Sequence, residues 1–139
     1  MSSIWVNDAE NEIFTIVKTR ASKKLKSRYA DILFTTESES QGTPKFPTVF
    51  VHFEPSASRS NSLSGGSIAA FNCVATLDVT CSKDQGQQGA SRVIFEVIDQ
   101  FLKLGFNVQQ TPDFIATGNG TVKIKARVER LLGSGDLIN

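Results

Sequence analysis

His52 is the only histidine in the chain, and an imidazole is the side chain most ready to act as acid, base or metal ligand near neutral pH. It falls within a run in which Val49, Val51 and Phe53 alternate with Phe50, His52 and Glu54, so it occupies a mid-strand position among generic polar neighbours. No serine, cysteine or carboxylate at a telling spacing completes a triad around it, and it reads as a structural strand histidine. Cys73 and Cys81 lie on one face of one alternating segment, eight residues apart. At about 3.3 Å per residue their separation is roughly 26 Å, beyond the ~7 Å reach of a disulfide. One histidine and two distant thiols do not supply metal-ligand spacing. Gly65-Gly66, Gly118-Asn119-Gly120 and Gly133-Ser134-Gly135 complete no phosphate-cradling motif, and Glu37 and Glu39 flank Ser38 with nothing to mark them as an acid/base pair. The expectation is a protein that is not an enzyme and takes no metal or cofactor.

Charge narrows the classes further. Fifteen basic residues stand against fourteen acidic ones in 139, so bulk electrostatics point to neither a nucleic-acid nor a membrane partner. No apolar run approaches the ~20 residues of a membrane span and no signal segment opens the chain, which predicts a soluble protein made in a cytoplasm. Two local concentrations of cations stand out. Lys18, Arg20, Lys23, Lys24, Lys26 and Arg28 share one stretch without an acid, and Lys123, Lys125 and Arg127 alternate in another. Either row suits phosphates. Both are also what a solvated helix or sheet face looks like, and no aromatic residues interleave with them to stack bases.

The elements that position these residues centre on Phe71–Phe106. Phe71, Cys73, Ala75, Leu77, Val79 and Cys81 alternate with Asn72, Thr76, Asp78, Thr80 and Ser82, the period of a strand with one buried face; Val74 alone breaks the polar side. The spacing then turns helical, with Val93, Ile94, Val97, Ile98, Phe101, Leu102 and Leu104 forming a stripe, Ser82 or Asp84 as its cap and Gly105 as its stop. An earlier helix is predicted from a cap at Asn7 or Asp8 to about Arg28, with Glu10 or Glu12 in its first turn and Ile13, Phe14, Val17, Ala21 and Leu25 as its stripe. Short strands follow at Ala30–Thr36 and from Pro47 to Glu54, and a last one over Thr121–Leu132 turns Val122, Ile124, Ala126 and Val128 inward. The fold class is α+β: a mostly antiparallel sheet carrying two helices, in the order α-β-β-β-α-β. Residues 1–132 make one domain and 133–139 a C-terminal tail.

Two stretches are read as irregular. Residues 107–120 are extended, with a turn at Gly118-Asn119-Gly120. Pro55–Ser67 is a serine- and glycine-rich loop far longer than a hairpin needs, and loops of that length usually serve a function. Within and beside it Arg59 and Asn61 supply hydrogen-bond donors, and Leu63 and Ile68 are the apolar exceptions. Leu137 and Ile138 are unfavourable on a free end. These six residues are the expected assembly contacts.

The order of elements resembles the tail-terminator, or tail-completion, proteins of long-tailed bacteriophages. It is closest in form to the group from phages of Gram-positive bacteria often labelled minor capsid or tail-completion proteins. The proline-led strand FPTVFVHFE at Phe46–Glu54, the junction LDVTCSK at Leu77–Lys83, the helix end FLKLGF at Phe101–Phe106 and the closing strand VKIKARVERL at Val122–Leu131 carry the resemblance. TPDF at Thr111–Phe114 departs from the proline-richer loop of that pattern, and residues 1–45 match only in having a helix. The resemblance implies a homohexameric ring in the virion neck, assembled in the host cytoplasm. The ring caps the tail tube, stops its polymerisation and meets the head-side connector. Its partners are then other copies of itself, the tail tube protein and the connector or stopper protein, with DNA passing through the lumen without sequence-specific contact and no membrane. The alternatives are a head-completion stopper and a nucleic-acid-binding module.

Overall fold

A computed structural model describes residues 4–36, 45–54, 60–64 and 67–133. The chain runs α1 (Ile4–Leu25), β1 (Leu33–Thr35), β2 (Thr48–Phe53), β3 (Ser60–Ser64), β4 (Ser67–Cys81), α2 (Gly86–Lys103), β5 (Asn107–Ile115) and β6 (Val122–Gly133). The class is α+β. Among the described residues the strands join one sheet in the order β1-β2-β4-β6-β5, with β3 also on β4, and only the β1–β2 pair is parallel. Among the described residues no helix is long and apolar enough to cross a membrane.

β4 is the axis. Its inward residues Phe71, Cys73, Ala75, Leu77, Val79 and Cys81 are all buried, as the alternation requires. β6 matches it residue for residue, from Ala70 opposite Gly133 to Cys81 opposite Val122, and adds Ile124, Ala126, Val128 and Leu132 to the same core. α2 lies across β4 and β6, burying Val93, Ile94, Val97, Ile98 and Phe101, and α1 packs beside it with Val6, Ile13, Val17, Ala21 and Leu25 in the same cluster. Leu102, expected on the buried stripe, is instead exposed; at 100° per residue it sits on the far shoulder of the helix from Val93.

α1 starts at Ile4, ahead of the expected caps Asn7 and Asp8, because Val6 extends the buried stripe by one turn and tertiary burial outweighs the local capping preference. Glu10 and Glu12 therefore fall outside the first turn, and the helix ends at Leu25, not Arg28. The expected cap of α2 is also different. Neither Ser82 nor Asp84 is its N-cap, which is Gln85. Ser82 and Gln85 instead close the preceding turn reciprocally: the Ser82 N–H donates to Gln85 Oε1 (3.0 Å), and the Gln85 N–H donates to Ser82 Oγ (3.4 Å). At the other end the Gly105 stop is as expected. Gly105 has φ +86°, the Phe106 N–H reaches the Phe101 carbonyl and the Gly105 N–H the Leu102 carbonyl. Phe101 and Phe106 meet edge to face at 5.1 Å over this Schellman turn, and Arg130 Nη1 donates to the Leu104 carbonyl at 2.6 Å.

Two segments read as irregular are strands. The stretch after β2 is not a single long loop: β3 pairs antiparallel with the start of β4, with Leu63 opposite Ile68 and Ser64 opposite Ser67. β2 and β3 thus run along the same edge of β4. β5 occupies most of the second segment. It pairs with β6 as an edge strand, the position in which a strand tolerates Pro112.

Candidate functional site

The residues of chemical interest are held apart. His52 is exposed on the sheet face opposite the helices, stacked on Phe50 at 5.9 Å and paired across the ladder with Thr76. Cys73 and Cys81 are buried free thiols. Burial pushes Cys73 up to about 12, helped by the nearby charge of Glu10, and pushes Cys81 up to about 11. At neutral pH both remain thiols, the unreactive form. Glu10, brought over Cys73 by α1, is itself raised by burial to about 7. Glu37 and Glu39 lie outside the described residues.

The outward row of β6, read from sequence as basic, is offset by acids once the strands pair. Arg127 forms an ion pair with Glu54, Lys125 lies between Asp78 and Asp113 in the register, and Asn72 Nδ2 donates to Glu129 Oε2 at 3.1 Å. Val74, the one apolar residue on this side of β4, is buried among them. This face is mixed in charge, so it offers no continuous anion track.

Exposed apolar surface is concentrated elsewhere. Among the described residues, five of the six exposed large hydrophobic side chains belong to α2 or β5: Phe95, Leu102, Val108, Phe114 and Ile115. Val108 is opposite Val128 and Phe114 opposite Ile124, so the register turns both toward the helix side of the sheet. α2 packs chiefly on β4 and β6 and less on β5, and these side chains stay 37–40% exposed. β5 is also a free edge, yet it is a poor template for another strand. The register shifts twice along it, between Val108 and Gln110 and between Gln110 and Asp113, and Pro112 removes one backbone donor. Its side chains, more than its backbone, are what it presents.

Of the six expected assembly contacts, Arg59, Leu137 and Ile138 lie outside the described residues. Asn61 and Leu63 are in β3, Asn61 at a register shift, and Ile68 is in β4 opposite Leu63. The apolar side of α2 and β5 was not anticipated. The signal for half of it was present: Phe95 and Leu102 are seven residues apart and share a helix shoulder.

No protein-family model and no curated protein matches this sequence. Eighteen chains of solved structures match it in fold. One of them aligns with 86% of this chain and 92% of its own, at a TM-score of 0.52 and 16% sequence identity. At that identity the likeness shows the fold alone: the arrangement of helices and sheet described above also exists as a nearly full-length solved protein.

Proposed function

We propose that this protein is a structural virion component, a tail terminator whose copies form a ring that caps the tail tube, stops its growth and joins it to the head-side connector. The observation that carries the reading is the exposed apolar surface on the helix side of the sheet, Leu102 on α2 and Val108 and Phe114 on β5, left open by the domain's own core. A patch of that kind on a small protein marks a contact with another protein. A ring requires each copy to offer one surface to the next. The element order and the residues Phe46–Glu54, Leu77–Lys83, Phe101–Phe106 and Val122–Leu131 support the terminator assignment through resemblance. In this reading the β3–β4 hairpin, with Asn61, Leu63 and Ile68, and the segment holding Leu137 and Ile138 contribute further contacts between copies or with the tube.

The test is the mass of the purified protein by native mass spectrometry, together with electron microscopy of tail tubes polymerised with and without it. Rings, and tubes of arrested length with density at one end, are expected. A monomer at every concentration, with tubes growing unchecked in its presence, would overturn the proposal. Rings that bind a head connector but leave tube growth unaffected would point to the head-completion role instead.

A further inference from the structure

Two cavities lie end to end in the cleft between α1 and α2, sharing Lys24. The larger, about 600 Å³, is bounded by Lys24, Arg28, Arg92, Phe95, Glu96 and Asp99 among others; the second, about 290 Å³, continues to Lys23, Gln100 and Lys103. Both acids in the cleft are already engaged. Glu96 accepts from Gln100 Nε2 at 2.6 Å and lies 4.0 Å from Lys24 Nζ, and Asp99 lies 3.4 Å from Lys103 Nζ. The remaining positive charge comes from both walls, Lys23 on α1, Arg28 in the turn that follows it and Arg92 on α2. Arg92 is steadied by its Nη1, which donates to the Tyr29 hydroxyl at 3.2 Å. On α2 the cleft extends from Arg92 to Lys103, a run of roughly 16 Å at 1.5 Å per residue.

The basic stretch of α1 contains no aromatic residue, but folding brings one to it. Phe95, 56% exposed, lines the same cavity as Arg28 and Arg92. We propose that the α1–α2 cleft binds single-stranded nucleic acid, with Arg28, Arg92 and Lys23 on successive phosphates and the Phe95 ring as the platform for a base. A nucleotide strand carries a charge and an aromatic face in every unit, which is the pairing the cleft offers. An acidic peptide would match the cations and leave the Phe95 ring in water. Phe95 shares a helix shoulder with Leu102, two turns away, but neither Leu102 nor β5 lines the cleft, and the binding proposed here does not depend on ring formation.

The experiment is a fluorescence-anisotropy titration of the full chain with a labelled oligothymidylate of about 20 nucleotides, at about 50 and 200 mM salt. Engagement of two to three phosphates predicts a fall in affinity of roughly 7- to 20-fold between those conditions. Arg28→Gln and Lys23→Gln, both at exposed positions, should each reduce the salt slope by about 0.7. Phe95→Leu should weaken binding at least about fivefold and leave the slope unchanged. Thermal melts of the variants serve as the control for folding. Absence of saturable binding at the lower salt would overturn the proposal. So would displacement of the oligonucleotide by polyglutamate at equal charge concentration with Phe95→Leu binding like wild type, a result that assigns the cleft to an acidic polypeptide.

Discussion

β4 and β5 flank the same strand, β6, and differ in almost everything else. β4 follows β6 without a register shift along its whole paired length, while β5 shifts twice within nine residues. Every inward residue of β4 from Phe71 to Cys81 is buried; on β5 only Pro112 is even partly so, and Val108 and Phe114 turn apolar side chains to the helix side without being covered. The cause is the position of α2, which packs chiefly on β4 and β6, ends at Lys103 and meets β5 less. Two strands on one template therefore serve different ends. One completes the core, and the other presents apolar surface that the domain does not use itself.

The comparison breaks most visibly on the β4 side. Leu77→Ala should cost about 2–5 kcal/mol in a urea titration, because a fully buried side chain between β2, β6 and α2 leaves a cavity that a regular ladder cannot close. A loss well under 1 kcal/mol would mean that β4 does not face the core as described. The boundary between covered and uncovered sheet is set at Gly105, where an L-residue at φ +86° is strained and a Cβ would stand 3.4 Å from the Arg130 guanidinium. Gly105→Ala is expected to lower stability by about 1–2 kcal/mol, read by the same titration. A neutral outcome would show that the end of α2 is free to move over β5.

Glu10 tests the covered side by pH. Its carboxyl is raised from 4.5 to about 7 by burial over β4, so between those values the folded chain keeps a proton that the unfolded chain has released. Stability from this group is complete below pH 4.5, falls as pH rises and is lost once pH passes about 7. With a discount for the part of the side chain still in water, the decline is about 1 kcal/mol. Denaturation midpoints of wild type and Glu10→Gln, compared across pH 4.5 to 7.5, should diverge by that amount; parallel curves would place Glu10 in solvent.

These differences also explain what could be read from the sequence. β4, β6 and the core stripe of α2 carry unbroken periods of two and 3.6, because each faces the core along its length, and Leu77, Val79, Val97, Ile98, Phe101, Ile124 and Val128 are all buried. β5 was illegible for the same reason that it is exposed: its shifts and Pro112 erase the alternation. β3 was missed although Leu63-Ser64-Gly65-Gly66-Ser67-Ile68 contains a two-residue glycine connection between apolar positions, a hairpin signal hidden by the surrounding serines. The start of α1 was misplaced because Asn7 and Asp8 are good caps, and only the packing of Val6 shows that they are not used. Among the site residues, Phe95 escaped notice because the cations it joins lie some seventy residues away in the chain.

The smallest effect on stability should accompany the largest effect on assembly. Leu102→Gln keeps a good helix former on the outer shoulder of α2, and Phe114→Thr places a β-branched residue near the end of β5. Both side chains are at least 40% exposed, so together the changes remove little buried area and should cost less than about 1 kcal/mol. If the α2–β5 side is a contact between copies, the same double variant should shift the native mass from ring to monomer at concentrations where wild type is assembled, because polar groups would then be buried without partners. The melting curve and the mass must be read on one sample. A variant as stable as wild type that still forms rings and arrests tubes would show that β5 faces solvent in the assembly. The contact would then fall to the β3–β4 hairpin, where replacing residues 56–67 with a short turn becomes the deciding variant.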